Sequence, residues 1–224
     1  AGLVLEVGCG EGQVSRRLSR AGATVIGLDP SAAQLATARR RDGGPSYVRG
    51  RAEQLPFPEA VFDAAVVCLV LEHIDPFEPA VAEIARVVRP GGRFLCFMGH
   101  PLQQAPGSCW IDDADFGEQY WRLGPYLPDH TAVHEVAPGV RLPFVHRPLG
   151  RYVHELGRVG LLVEDLVEPP PASDALAHLS GFAEAATIPR LLVLRARRVD
   201  AQKAESETST SASTSASTSG APAL

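Results

Sequence analysis

Leu3-Val4-Leu5-Glu6-Val7-Gly8-Cys9-Gly10-Glu11-Gly12 decides the fold of this chain. Leu3–Val7 is an apolar run of the kind expected of a parallel strand covered on both faces. Glycines at 8, 10 and 12 let the backbone turn tightly and let a ligand approach it with no Cβ in the way. The spacing then predicts a helix over residues 12–20, with Val14 and Leu18 four apart. Working outward, the same alternation repeats. Strands are expected over 24–28, 47–49, 62–68 and 93–97. Ser31 followed by Gln34 reads as a capping box opening a helix through Arg40. Residues 78–88 read as a helix with Val81, Ile84, Ala85 and Val88 on one face, stopped by Pro90-Gly91-Gly92. Pro148 opens another over 149–159, followed by a strand over 161–166, a weak helix over 174–186 and a last strand over 191–197. Short connections between alternating strands and helices imply an α/β fold, a doubly wound parallel sheet with right-handed crossovers.

Composition narrows the class. The 224 residues are 45% hydrophobic, enough for one good-sized domain that needs no disulfide or metal to fold. Twenty-one Lys and Arg against 26 Asp and Glu leave a net charge of −5, the wrong sign for a nucleic-acid footprint. Cys9, Cys68, Cys96 and Cys109 form no C-x-x-C pair and read as reduced thiols of a cytoplasmic protein. The longest unbroken apolar run, residues 64–71, is far below the ~18 residues of a membrane span. No signal peptide precedes the first strand, and a chain opening on Ala1 already at a strand reads as lacking its natural start. Residues 200–224 hold 11 Ser or Thr and no aromatic residue, and are expected to be a disordered tail to a domain over 1–199. Residues 100–147 carry Pro, Trp, Tyr, His and Asp with no long period. They are read as a functional insertion with structure of its own.

The glycine loop lies at the carboxyl end of the first strand, beside the switch point where doubly wound sheets bind ligands. A dinucleotide fingerprint, G-x-G-x-x-G, would need glycine at position 13, which is Gln. Asp29 closes the second strand nineteen residues past Gly10, where an acid can accept both hydroxyls of a ribose. It also stands where an acid would favour the N-terminus of the helix starting at Ser31. The loop and Asp29 alone leave a nicotinamide-dependent oxidoreductase open.

Five stretches in order, Leu5 to Gly12, Val25-Ile-Gly-Leu-Asp-Pro30, Ala52-Glu-Gln-Leu-Pro-Phe-Pro58, Phe62-Asp63 and Arg86-Val-Val-Arg-Pro-Gly-Gly92, carry a resemblance. The chain resembles class I S-adenosylmethionine-dependent methyltransferases, most closely the small-molecule branch that includes the ubiquinone/menaquinone-biosynthesis enzymes (methyltransferase type 11). The resemblance spans residues 2–99 and, more loosely, 145–198. It implies a Rossmann-like sheet of seven strands, order 3-2-1-4-5-7-6, with the seventh antiparallel. It also implies S-adenosylmethionine as cofactor and a small-molecule methyl acceptor as partner, on oxygen, nitrogen or carbon. On this resemblance Glu6, Gly8, Cys9 and Gly10 surround the amino-acid end of the cofactor. Asp29 holds the ribose, and Pro30 lies against the adenine. The Ala52 amide and Glu53 address the adenine edge, and the carbonyls of Cys68 and Leu69 take the ammonium group. Arg51 stands where the family often has an acid, and Gln34 where many members have Met.

A sulfonium methyl is already electrophilic, so the protein must chiefly align the reactants. A base is needed only for an acceptor that starts protonated. Candidates for that role are His73, after the fourth strand beside Glu72, and His100, just past the fifth. Glu72 and His73 equally suit a turn that packs the next segment. Trp110 and Tyr120 have flat faces and polar tips that suit an acceptor pocket, or a satellite core under the insertion. Arg147 could pair with a substrate carboxylate or anchor the loop. No metal site is expected of the histidines. A cofactor-binding or partner-binding domain without catalysis is the competing reading from another class.

Overall fold

A computed structural model describes residues 2–41, 43–113, 115–137, 139–170 and 187–199. The opening run forms β1 (Leu3–Val7), followed by α1 (Gln13–Arg20), β2 (Thr24–Asp29), α2 (Ala32–Arg40) and β3 (Ser46–Arg49). Next come β4 (Phe62–Cys68), a 3-10 turn (Leu71–His73), α3 (Phe77–Val87) and β5 (Val88–Gly99). The insertion supplies α4 (Pro101–Gln104), β6 (Cys109–Asp113), β7 (Glu118–Arg122), β8 (His130–Ala137) and β9 (Val140–His146). The chain then returns through α5 (Leu149–Arg158), β10 (Leu161–Val167) and β11 (Leu191–Arg198).

Seven strands make one sheet in the order β10-β11-β5-β4-β1-β2-β3. Once the four insertion strands are left out of the count, this is the expected 3-2-1-4-5-7-6. β1 lies parallel between β2 and β4, with Val7 opposite both Leu28 and Val67. β11 runs antiparallel to β5 and to β10, as expected of the seventh strand. The most buried residues follow from this layering. Leu5, Val7, Val67, Phe94, Cys96 and Met98 from the central strands pack with Phe77, Ile84, Tyr152 and Leu156 from the helices.

Local departures from the expected boundaries have local causes. α3 ends at Val87 because Val88 turns extended and pairs with Phe62. Pro90-Gly91-Gly92 then bulges out, with Gly91 at φ +77°, before pairing resumes at Ala64 and Arg93. β5 therefore starts five residues earlier than the expected Arg93. Ser31 does cap α2, its Oγ accepting from the Gln34 amide at 3.3 Å. The Ser31 amide, which a capping box would give to Gln34, goes to Asp29 instead. Residues 100–147 form a short helix and two separate antiparallel hairpins, β6–β7 and β8–β9. β8 is exposed along nearly its whole length, so little burial imprints a period there. The helix read over 174–186 and the tail over 200–224 lie outside the described residues. All four cysteines are free thiols. Among the described residues no helix is long and apolar enough to cross a membrane.

Phe62 is fully buried and meets the edge of Phe57 with ring centroids 5.0 Å apart, whereas Phe116 is 79% exposed. Phe62→Ala is expected to cost about 3–5 kcal/mol by urea unfolding. Phe116→Ala should stay within about 0.5 kcal/mol of the parent. Equal losses would place the core elsewhere.

Candidate functional site

Three glycines after β1 adopt left-handed backbone, with φ +73° at Gly8, +51° at Gly10 and +75° at Gly12. Each is free of a Cβ for a different reason. At Gly8 a Cβ would sit 2.5 Å from the Val70 methyls, and at Gly12 it would sit 2.1 Å from the Tyr47 hydroxyl. At Gly10 it would meet no protein atom within 4 Å, so the loop leaves open space there for a ligand. The loop is held from below. The Gly8 and Cys9 amides both donate to the Leu28 carbonyl, at 2.8 and 2.9 Å, and the Gly12 amide donates to the Cys9 carbonyl. Asp29 closes the arrangement. Its Oδ2 accepts from the Gly10 amide at 2.9 Å, and its Oδ1 accepts from the Ser31 amide at 2.8 Å. Each oxygen keeps a second lone pair for a ligand donor. The two readings of Asp29, loop ligand and helix-start acid, therefore coexist.

Beneath the loop, Glu6 is buried and accepts a hydrogen bond from the Ser15 hydroxyl. Burial pushes its carboxyl up to about 7, against the pull of Ser15, and the charge of Asp29 adds to the rise. Cys9 is also buried, its thiol pushed up to about 12 by burial and by Glu6. Its sulfur lies against Gly27 and both its backbone groups serve the loop. The Cys9 side chain thus supports the loop from inside, and Gly10 is the residue at the open face.

The remaining positions expected to meet a cofactor are Pro30, Ala52, Glu53, Cys68 and Leu69. Pro30 is exposed, and its carbonyl accepts from Arg49 Nε at 3.0 Å. The Ala52 side chain is buried in the core, while the Glu53 carboxylate is paired with the Arg51 guanidinium. Cys68 ends β4 with its thiol pushed up by burial. Leu69 follows at φ +54°, half exposed, with its amide on the Phe97 carbonyl at 2.7 Å. A left-handed leucine is uncommon, and such backbone gathers at functional sites.

On the acceptor side the geometry separates the candidates. His73 donates Nδ1–H to the Pro143 carbonyl at 2.8 Å, which leaves Nε2 as an acceptor. Its ring also meets the edge of Phe144 at 4.4 Å. His100 is committed elsewhere. Its Nδ1 accepts from the Leu102 amide at 3.1 Å and caps α4, and its Nε2–H donates to Glu168 at 2.9 Å. With both nitrogens engaged, His100 is a structural residue in this arrangement, against the expectation of a base.

The contacts of Arg147 are those of the anchor reading. It is buried, donates to the carbonyls of Leu71 at 3.3 Å and Ile74 at 2.8 Å, and lies 4.8 Å over the Phe77 ring. Trp110 faces Trp121 across the β6–β7 hairpin at 5.4 Å, and Tyr120 beside it is about half exposed. Trp110 and Trp121 thus pack on each other as a satellite cluster within the hairpin.

The cavity of this region lies instead between α4, the 3-10 turn and the β8–β9 hairpin, with a volume near 410 Å³. Glu72, Gln103, Gln104 and His146 line it beside Phe144 and Val145. Glu72 and Val70 belong to one loop, so the cavity is two residues from the contact on Gly8. Gln103 and Gln104 were not singled out by sequence. Their one signal is two adjacent amides directly after the fifth strand, at the sheet edge where ligands bind.

Comparison with known proteins agrees with this geometry. Residues 5–96 match the family described as "Methyltransferase domain". A fatty-acid O-methyltransferase of Mycolicibacterium smegmatis is 42% identical over 108 residues, 46% of this chain and 39% of that protein. A ubiquinone/menaquinone biosynthesis C-methyltransferase of Methylobacterium nodulans is 39% identical over 132 residues, 55% of this chain and 50% of that protein. The chain thus spans half or less of the length of these relatives. The crystal structure of an S-adenosylmethionine-dependent methyltransferase from Mesorhizobium loti superposes with TM-score 0.76 at 29% identity, covering 88% of this chain and 91% of that one.

Glu6 gives a test by pH. A carboxyl raised from 4.5 to about 7 keeps its proton in the folded chain after the unfolded chain has lost it. Its contribution to stability therefore falls as pH rises through that window and levels off above it. Glu6→Gln removes the effect and keeps an acceptor for Ser15. Relative to the parent, the variant should gain up to about 3 kcal/mol between pH 5 and pH 8 in urea melts. A difference that does not change with pH would mean that Glu6 is ionised throughout.

Proposed function

We propose, for a chain whose residues 5–96 are a methyltransferase domain, that it transfers the methyl group of S-adenosylmethionine to a small-molecule acceptor. The observation that carries this reading is the open space at Gly10, framed by left-handed glycines and roofed on one side by the Asp29 carboxylate. The match to a methyltransferase domain favours this reading of the loop over a nicotinamide-dependent one, as does Gln13 in place of the third fingerprint glycine. Residues 1–199 would act as one catalytic unit with 100–147 as the acceptor cap. The four free thiols suit a reducing, cytoplasmic setting.

When bound, the cofactor supplies a methyl carbon already activated by positively charged sulfur. The residues then have to bind, orient and exclude water. Glu6, Gly8 and Gly10 lie where the amino-acid end would rest, and the free lone pairs of Asp29 suit a ribose diol. The carbonyls of Cys68 and Leu69 are at the end of β4, where the left-handed turn at Leu69 directs the chain into the cavity loop. Pro30 would lie against the adenine, with the Ala52 amide and Glu53 at its edge. Arg51, paired with Glu53, makes that edge cationic on one side where the family often has an acid. On the acceptor side His73 retains a free Nε2.

Calorimetry with S-adenosylhomocysteine tests the reading. The chain should bind it, and NADH at the same concentration should release no heat. Asp29→Ala should cost about 1–3 kcal/mol of binding, because ribose donors lose their acceptor. Gly10→Val fills the open space and should abolish binding while the far-ultraviolet spectrum is unchanged. Affinity that survives both substitutions would remove the glycine loop from the site.

A further inference from the structure

Four buried polar atoms around the 410 Å³ cavity have no hydrogen-bond partner: Glu72 Oε2, Gln103 Nε2, Gln104 Oε1 and His146 Nδ1. Buried polar groups in folded proteins are nearly always satisfied, by protein, water or ligand. Four orphans on residues that line one cavity therefore mark a place built to be filled. Glu72 and His146 are only 4% and 3% exposed, so neither is satisfied by bulk solvent. The protonation of His146 is set by its other nitrogen. Nε2 lies 2.7 Å from the Tyr126 carbonyl, which can only accept, so Nε2 carries a proton, and in the neutral ring Nδ1 is the bare nitrogen left without a partner.

We propose that this cavity is the methyl-acceptor pocket and that it selects an uncharged acceptor with a flat apolar body and a hydroxyl or N–H donor, which His146 Nδ1 accepts. The inference rests on the methyl-transfer reading and names the substrate class of that site. Three features carry it. The cavity opens at the carboxyl edge of β4 and β5, two residues beyond the Val70 contact with the glycine loop. Phe144 and Val145 give it an apolar wall against which a ring can lie. No Lys or Arg is among its described lining residues.

The charge argument is the selective one. A carboxylate acceptor would enter a pocket that holds the Glu72 carboxyl and no permanent cation, and a buried unpaired carboxylate is strongly disfavoured. Arg147, the nearest buried guanidinium in the chain order, is spent on the Leu71 and Ile74 carbonyls. A donor-bearing neutral acceptor instead satisfies His146 Nδ1 and the Glu72 and Gln104 oxygens, groups otherwise left unpaired. In this the pocket differs from what the name of the fatty-acid O-methyltransferase relative implies for its own acceptor.

The test uses the full chain, imidazole proton resonances, and two ring probes of similar size, catechol and benzoate. Each is titrated at pH 7.5 with and without S-adenosylhomocysteine, whose own binding is read separately by calorimetry. Catechol should shift the His146 resonance saturably, and benzoate at the same concentration should leave it in place. His146→Phe should weaken catechol at least tenfold while S-adenosylhomocysteine affinity changes less than threefold. Gln103→Lys supplies the missing cation and should raise benzoate affinity at least tenfold. This second variant decides the matter if His146→Phe fails to fold. Benzoate binding as well as catechol in the parent chain, catechol binding unaffected by His146→Phe, or no gain of benzoate in Gln103→Lys would each overturn the proposal. If S-adenosylhomocysteine binds and catechol does not reach His146, the pocket assignment falls and the methyl-transfer reading stands. If the probes behave as expected and S-adenosylhomocysteine does not bind, the methyl-transfer reading falls and takes the pocket's role as methyl-acceptor site with it, while its selectivity for a neutral, donor-bearing ring stands.

Discussion

The Asp29 carboxylate joins two loops that the sheet alone would leave independent. One oxygen holds the Gly10 amide of the loop after β1, and the other holds the Ser31 amide at the start of α2. The rest of the site is arranged in series from that pair of bonds. The glycine loop, so pinned, packs Gly8 against Val70. Val70 begins the loop that carries Glu72 and His73, and Arg147 fastens that loop from the far side through the Leu71 and Ile74 carbonyls. A ligand at Gly10 and a ligand in the cavity are thus linked by one short run of packed backbone. The left-handed Leu69 comes immediately before that run, where an unusual backbone is held by pairing to the Phe97 carbonyl.

Most of the fold was legible because each element carries its own signal. The apolar run of β1, the capping serine of α2 and the one-sided burial of α3 all state their element locally. The loop positions at Gly8, Gly10 and Asp29 could be located as well, since strand ends and glycines mark them. What sequence could not show is which way a side chain faces once the insertion folds. His100 has the composition of a base and the position of one, yet both its nitrogens are taken by partners at Leu102 and Glu168. The Glu168 partner is 68 residues away, a distance no spacing rule spans. Trp110 looks like a pocket wall in sequence because it is large and flat, and in the hairpin it packs on Trp121.

The acceptor side shows how different signals rank. Aromatic residues draw attention in a sequence because they are rare and bulky. In the folded chain the more telling groups are ordinary ones left without partners: two glutamines, a glutamate and the bare nitrogen of His146. An orphaned polar atom is a property of a three-dimensional enclosure, so it exists only once α4, the 3-10 turn and β9 come together. His146 and Arg147, adjacent in the chain, then take opposite roles. The histidine is turned to the cavity and the arginine to the backbone behind it.

The attachment of the insertion has a further consequence for how such a protein can diverge. His73 grips the Pro143 carbonyl, and Arg147 grips the carbonyls of Leu71 and Ile74. Every receiving group is main chain, and main chain is supplied by any residue. The receiving positions can therefore accept substitutions without unfastening the insertion, while the two donors hold its position. A lineage built this way can replace its cavity wall step by step and acquire new acceptors, keeping throughout the same hinge between insertion and sheet.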